Sequence, residues 1–176
     1  SANQNNSRAL SNLGNFYLEG KYVKQDLNKA FQYLTNAANQ NNCQAQYNLG
    51  CVYSGDNSIT LKINKAIQYF ELASNQNNPE AQNNLGIIYY EGKYIQRDIN
   101  KSIYYFTLSA NQNNSLAQYN LGNIYFEGKY IEQNIEKAIQ YYTLSANQNY
   151  NEAQFKLGSI FYEGKFVLRD ISKSIF

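Results

Sequence analysis

From Ala81 to Glu91 the chain reads AQNNLGIIYYE, and at about 100° per residue Ala81, Leu85, Gly86, Ile88 and Tyr89 share one arc. Glu80, Asn83, Ile87, Tyr90 and Glu91 lie opposite. One apolar face predicts an amphipathic helix, here helix A. Gly92 ends it, because glycine enters the left-handed conformation of a helix C-cap without steric penalty. The same glycine returns as Gly20, Gly128 and Gly164, and one place early as Gly55, where the turn is expected to differ. Beyond the loop KYIQR, Asp98 can cap a second helix, B, in which Ile99, Ser102, Ile103, Phe106 and Ala110 recur in steps of three and four. Asp26, Asn134 and Asp170 are equivalent caps. Lys62 is not, so that helix B must start with Thr60 or Asn64, or fray.

The pattern repeats. ANQNN stands at Ala2–Asn6, Ala38–Asn42 and Ala110–Asn114, with SNQNN at Ser74–Asn78 and ANQNY at Ala146–Tyr150, each copy 36 residues after the last. Leu-Gly keeps the same period at Leu13, Leu49, Leu85, Leu121 and Leu157. Low-complexity filler would not hold phase, whereas a period of this length marks stacked supersecondary units that cannot bury their apolar faces alone. Asn41, Asn77, Asn113 and Asn149 follow the last apolar position of helix B, and asparagine is second to glycine as a left-handed cap, so NQNN reads as a helix stop. The fold class expected is all-α, a right-handed α/α solenoid of 36-residue helix-turn-helix repeats. Residues 1–176 form a single array: 1–6 are the tail of a preceding repeat, 7–42, 43–78, 79–114 and 115–150 are complete, and 151–176 are a truncated fifth. The chain is expected to be an excerpt of a longer array.

With 43% hydrophobic and 15% aromatic residues the chain can bury a continuous core. It holds no apolar run long enough to span a membrane and no signal-peptide pattern, so no membrane partner is expected. A net charge of +2 without any block of like charge gives no footprint for nucleic acid. There is no histidine, hence no imidazole base or imidazole metal site, and no glycine-rich phosphate loop, so neither an enzyme nor a cofactor is expected. Cys43 and Cys51, eight residues apart on one helix, would stand about 12 Å apart, beyond the roughly 7 Å limit of a disulfide. Reduced thiols favour a cytoplasmic setting.

The stretches AQYNLGCVY, AQNNLGIIYYEGKYIQRDINKSIYYF and AQYNLGNIYFEGKYIEQNIEKAIQYY resemble the Sel-one-like repeat family, relatives of the tetratricopeptide repeats, over nearly the whole chain. The resemblance implies an adaptor or scaffold that holds other proteins together. Asparagine replaces the family's glycine between repeats, and the second repeat lacks the Asp and shifts its Gly. The paired cysteines of the family's cysteine-rich bacterial members are missing.

Relative to each Leu of Leu-Gly, positions −5, −2, −1, +2, +5 and +6 project from helix A away from helix B. At −2 stand Ser11, Tyr47, Asn83, Tyr119 and Phe155; at +5, Leu18, Ser54, Tyr90, Phe126 and Tyr162; at −1, Asn12, Asn48, Asn84, Asn120 and Lys156. Aromatics on a face that should be charged mark an interaction surface, and asparagine amides offer a donor and an acceptor to an extended peptide. The candidate partner-binding residues on the concave A face are Tyr47, Tyr90, Tyr119, Phe126, Phe155, Tyr162, Asn48, Asn83, Asn84, Asn120 and Asn123. The competing reading has the aromatics packing on the next A helix and the asparagines bonding between helices. Glu19, Glu91, Glu127 and Glu163 sit at helix C-termini against the macrodipole, with Lys21, Lys93, Lys129 and Lys165 two places on, and the expectation is a structural salt bridge rather than a carboxylate row for a basic ligand. The function expected is a scaffold for a protein or peptide. The alternatives are a single-stranded RNA-binding array, which would need a basic groove, and a spacer self-associating end to end, through the edge at Phe176 and the open first repeat.

Overall fold

The computed structural model describes residues 2–55 and 60–163, and their regular structure is entirely helical: α1 (Ala2–Glu19), α2 (Leu27–Asn39), α3 (Cys43–Gly55), α4 (Thr60–Ser74), α5 (Pro79–Glu91), α6 (Ile99–Ala110), α7 (Ser115–Glu127), α8 (Ile135–Ala146) and α9 (Asn151–Glu163). Odd helices are A and even ones B. The chain divides into two compact units, 1–85 and 86–176, with the division inside α5. In the first unit α2 packs on α1 and α3, and α3 on α4; in the second, α7 packs on α6 and α8, and α8 on α9. Gly164, Lys165, the cap Asp170 and the edge at Phe176 lie outside the described residues.

The NQNN joint does two jobs. Its third residue takes the left-handed conformation, with φ of 59° at Asn41, 61° at Asn77, 60° at Asn113 and 62° at Asn149. Around Asn41 the Asn42 N–H donates to the Ala37 carbonyl (3.1 Å) and the Asn41 N–H to Ala38 (2.9 Å), closing the last turn of α2 as a Schellman motif. The fourth residue then starts the next helix: Asn42, Asn78 and Asn114 accept from the backbone N–H of Ala45 (2.9 Å), Ala81 (2.7 Å) and Ala117 (2.9 Å). An N-cap of this kind contributes about 1 kcal/mol. In the last joint Tyr150 has no such side chain, and its carbonyl accepts from Ala153 instead. At the other end of each repeat Asp26, Asp98 and Asn134 cap helix B by accepting from Lys29, Lys101 and Lys137 N–H. The second repeat differs as expected, since Gly55 is the last residue of α3, outside the left-handed region, and α4 begins at Thr60.

Helices A and B meet through a contact the period alone does not reveal. A Cβ added to Gly50, Gly86 or Gly122 would lie 2.5–2.6 Å from the ring of Phe70, Phe106 or Tyr142, so the glycine of Leu-Gly is the notch that admits the helix B aromatic. The neighbouring leucines Leu49, Leu85 and Leu121 are fully buried, each contributing roughly 2 kcal/mol. The Gln of Ala-Gln is buried too. Gln46, Gln82 and Gln118 donate to the carbonyls of Ala38, Ser74 and Ala110 at the end of the preceding helix B, and Gln46 and Gln118 accept from Gln76 and Gln148 of the next joint at 2.7 Å. Each repeat also stacks two tyrosines, Tyr17–Tyr33, Tyr53–Tyr69, Tyr89–Tyr105 and Tyr125–Tyr141, with Lys29, Lys65, Lys101 or Lys137 over the first ring.

Candidate functional site

Helix A presents its three predicted columns to different surroundings. The −2 column is largely packing. Ser11 and Asn83 are each 3% exposed, so Asn83, expected on the binding face, is a buried residue. Half-buried Tyr47 packs its ring 6.0 Å from that of Phe70, and Tyr119 lies between Tyr142 (5.8 Å) and Tyr150 (5.2 Å). Burial pushes the Tyr47 hydroxyl up to about 12, with Cys51 and Glu80 adding to it. Phe155 is 74% exposed.

In the first unit the −1 residues Asn48 and Asn84 bond to the preceding A helix. The Asn48 amide donates to Asn15 Oδ1 of the preceding A helix, and Asn84 Nδ2 to Cys51 Sγ at 3.9 Å. These two amides link neighbouring helices, as the competing reading of the asparagine column has it. Both cysteines are unbridged, and burial pushes each thiol up.

At +5, Phe126 packs 6.3 Å from Tyr142 with the Lys156 ammonium over its face, while Tyr162 is largely exposed. Tyr90 takes part in something else. Its hydroxyl donates to Glu127 Oε2 at 3.1 Å, and its ring meets Tyr130 edge-on at 5.9 Å. Burial, then Glu127, push that hydroxyl up to about 12. Beside it, between α5 and α7, opens a recess of about 300 Å³ lined by Ile87, Tyr90, Glu91, Phe106, Asn120, Asn123, Ile124 and Glu127. Phe106 and Ile124 are buried, and the carboxylate residues Glu91 and Glu127 are exposed. Asn123 Oδ1 is held by the Tyr142 hydroxyl at 2.8 Å. Three predicted residues, Tyr90, Asn120 and Asn123, are thereby gathered in one concavity.

The expected Glu–Lys salt bridges do not form at the described positions. Lys21, Lys93 and Lys129 lie over the rings of Tyr22 (5.2 Å), Tyr94 (4.8 Å) and Tyr130 (5.1 Å), while an ion pair at 3.8 Å joins Lys29 to Asp26. An aromatic directly follows each lysine, and a ring face one residue away outcompetes a solvated carboxylate across the turn. Glu91 and Glu127 stand on the projecting face of helix A, as their +6 position predicts, but line the recess instead of forming the expected salt bridges. The sequence signal for this is the Lys-Tyr pair that occupies each lysine.

Among the described residues no helix is long and apolar enough to cross a membrane, and no group of His, Cys, Asp or Glu could hold a metal ion. The Sel1 repeat model matches residues 7–42, 43–78, 79–114, 115–150 and 151–176. The chain belongs to the Sel1 repeat family. Sel1 repeats typically mediate protein–protein interaction. Solved Sel1-type structures are similar. A protective antigen of uropathogenic Escherichia coli strains with this fold is 29% identical, with a TM-score of 0.88 over 96% of this chain and 36% of its own. A Sel1 repeat protein of Oxalobacter formigenes is 30% identical, with a TM-score of 0.88 over 97% of this chain and 69% of its own. Helicobacter pylori cysteine rich protein B is 26% identical, with a TM-score of 0.55 over 76% of this chain and 96% of its own. This chain thus spans about a third of the Escherichia coli protein and about two thirds of the Oxalobacter one. No curated protein matches it. Its architecture is the all-α helical repeat solenoid of these Sel1 proteins.

Proposed function

We propose that this Sel1 repeat array is a non-catalytic cytoplasmic scaffold that binds a partner protein or extended peptide on the A-helix face of residues 86–163. The observation that carries this reading is the recess between α5 and α7, where Tyr90, Asn120 and Asn123 meet beside two exposed carboxylate residues. An apolar floor with a few convergent polar groups is the usual composition of a recognition site. Phe155 and Tyr162 extend the aromatic character of the same face in α9. The RNA reading loses ground here, because carboxylates at the rim repel phosphates. The two unbridged cysteines support the cytoplasmic setting.

The test is selection of peptides from a random displayed library against the chain, followed by affinity measurement on the Tyr90→Ala/Asn120→Ala variant. Affinity for the selected peptides falls tenfold or more, about 1.4 kcal/mol, while the circular-dichroism melt is little changed. Equal affinity for both proteins would move the site off this face.

A further inference from the structure

Resting on that scaffold reading, we propose that the recess between α5 and α7 receives the side chain of an arginine from the partner polypeptide. Its floor is apolar, with Ile87, Ile124 and Phe106 placed to cover the methylene stem of a long side chain. Its rim carries acceptors, the carboxylates of Glu91 and Glu127 and the amides of Asn120 and Asn123. A guanidinium presents five N–H donors in a planar fork and stacks on aromatic faces, so it matches this set of carboxylates, amides and the Tyr90 ring better than a compact ammonium does.

Charge points the same way. Glu91 and Glu127 are the last residues of α5 and α7, where the helix dipole adds negative potential and makes an unopposed carboxylate unfavourable in the empty protein. The lysines expected to pair with them lie over Tyr94 and Tyr130 and form no ion pair with them, although Lys93 still feels the Glu91 charge. Arg97, the nearby guanidinium, is tied to the backbone at the rim and to neither carboxylate: Nε and Nη2 donate to the backbone carbonyls of Tyr90 (2.8 Å) and Glu91 (3.0 Å), and the group stacks on Tyr130 at 4.5 Å. The hydroxyl of Tyr90 already orients one oxygen of Glu127, which leaves the other to a ligand.

The recess depends on the particular residues of these repeats. In the first unit Leu18 stands where Tyr90 stands, Gly55 replaces Glu127, and Asn15 occupies the place of Ile87. There Asn48 reaches across to Asn15 and ties the two A helices together. Ile87 has no polar side-chain atom at the place of Asn15, and it lines the recess.

The probe is N-acetyl-arginine amide, titrated into the uniformly labelled chain and followed by the NMR shifts of backbone and asparagine side-chain amides. Its neutral isostere N-acetyl-citrulline amide is the comparison. Arginine amide is expected to perturb Asn120, Asn123 and the last turns of α5 and α7, to bind at least tenfold more tightly than citrulline amide, and to lose at least tenfold on Glu91→Gln/Glu127→Gln. Glu19→Gln should leave it unchanged. Equal binding of the two amides, shifts elsewhere in the chain, no response, or indifference to the double Gln variant would each overturn the assignment. The displayed peptides separate this proposal from the scaffold reading: peptides that bind this face without arginine overturn the arginine assignment alone. A normal response to arginine amide with no selectable peptide supports the recess and counts against the scaffold.

Discussion

The ring of Tyr142 lies so close to Gly122 that a Cβ on that glycine would stand 2.5 Å from Cδ1 and 2.6 Å from Cε1. Alanine in place of a mid-helix glycine ordinarily stabilises by about 1 kcal/mol, but forcing a methyl group into a packed core costs about 1–3 kcal/mol. Tyr142 is fully buried with its hydroxyl held on Asn123, so the ring cannot swing away and the clash wins. Gly122→Ala should lower stability in urea by about 1 kcal/mol, and the loss should shrink in a Tyr142→Ala background, where no ring is left for the added methyl group to meet. An alanine variant as stable as wild type would refute the notch.

Asn113, at φ 60°, holds the end of the third repeat. Asn113→Gly should be neutral or slightly stabilising, whereas Asn113→Val forces a β-branched side chain into the left-handed region and should cost about 1–2 kcal/mol. Chemical denaturation of the two variants checks the difference in sign.

Gln118 is 2% exposed, donates to the Ala110 carbonyl and accepts from Gln148. Gln118→Leu keeps the volume but leaves both partners without their bond, a loss of about 1–3 kcal/mol. Gln148→Ala should cost less, since Gln148 is exposed. If the two substitutions cost the same, the buried amide is not the centre of the pair.

Tyr47 and Tyr90 have hydroxyls raised from 10.0 to about 12, chiefly by burial. The folded state therefore holds these protons more tightly than the unfolded chain. Stability is unaffected below pH 10 and falls as pH rises from 10 toward 12. Phenolate absorbance and helical circular dichroism followed together through that window should change in step, and Tyr47→Phe/Tyr90→Phe should move the alkaline unfolding midpoint upward. An unchanged midpoint would show that these phenols are open to water.

Alanine at Tyr119 or Phe126 removes rings packed on the cluster around Tyr142 and Leu157. Each should lower the melting temperature, by a stability loss on the order of 2 kcal/mol, unlike Phe155→Ala, whose ring is 74% exposed. Thermal melts of the three single variants would show this ranking or its absence.

The division between what could be read in advance and what could not follows the range of the forces involved. The helix stops at Asn41, Asn77, Asn113 and Asn149, the caps at Asp26, Asp98 and Asn134, and the turns at Gly20, Gly92 and Gly128 all rest on backbone conformation and hydrogen bonds within a few residues, so the sequence displays them directly. Unit 1–85 illustrates the harder part. Asn48 and Asn84 look identical on a helical wheel, yet the first meets Asn15 and the second Cys51, and neither pairing is visible without the neighbouring helix in place.

By itself, then, the sequence determined the helical repeats, their period and the chemistry at each helix end, because these are properties of short stretches of chain. Only the tertiary structure decided which side chains of helix A are packed and which stay exposed. Tyr119 and Phe126 are drawn into the Tyr142 cluster, Asn83 is buried, and the lysines settle over neighbouring tyrosine rings. The recess at Tyr90 and Glu127 is lined by Ile87, which stands where the first repeat has Asn15. A column of like residues at one helical position is a single feature in sequence, but its members differ in space with whatever stands one repeat away.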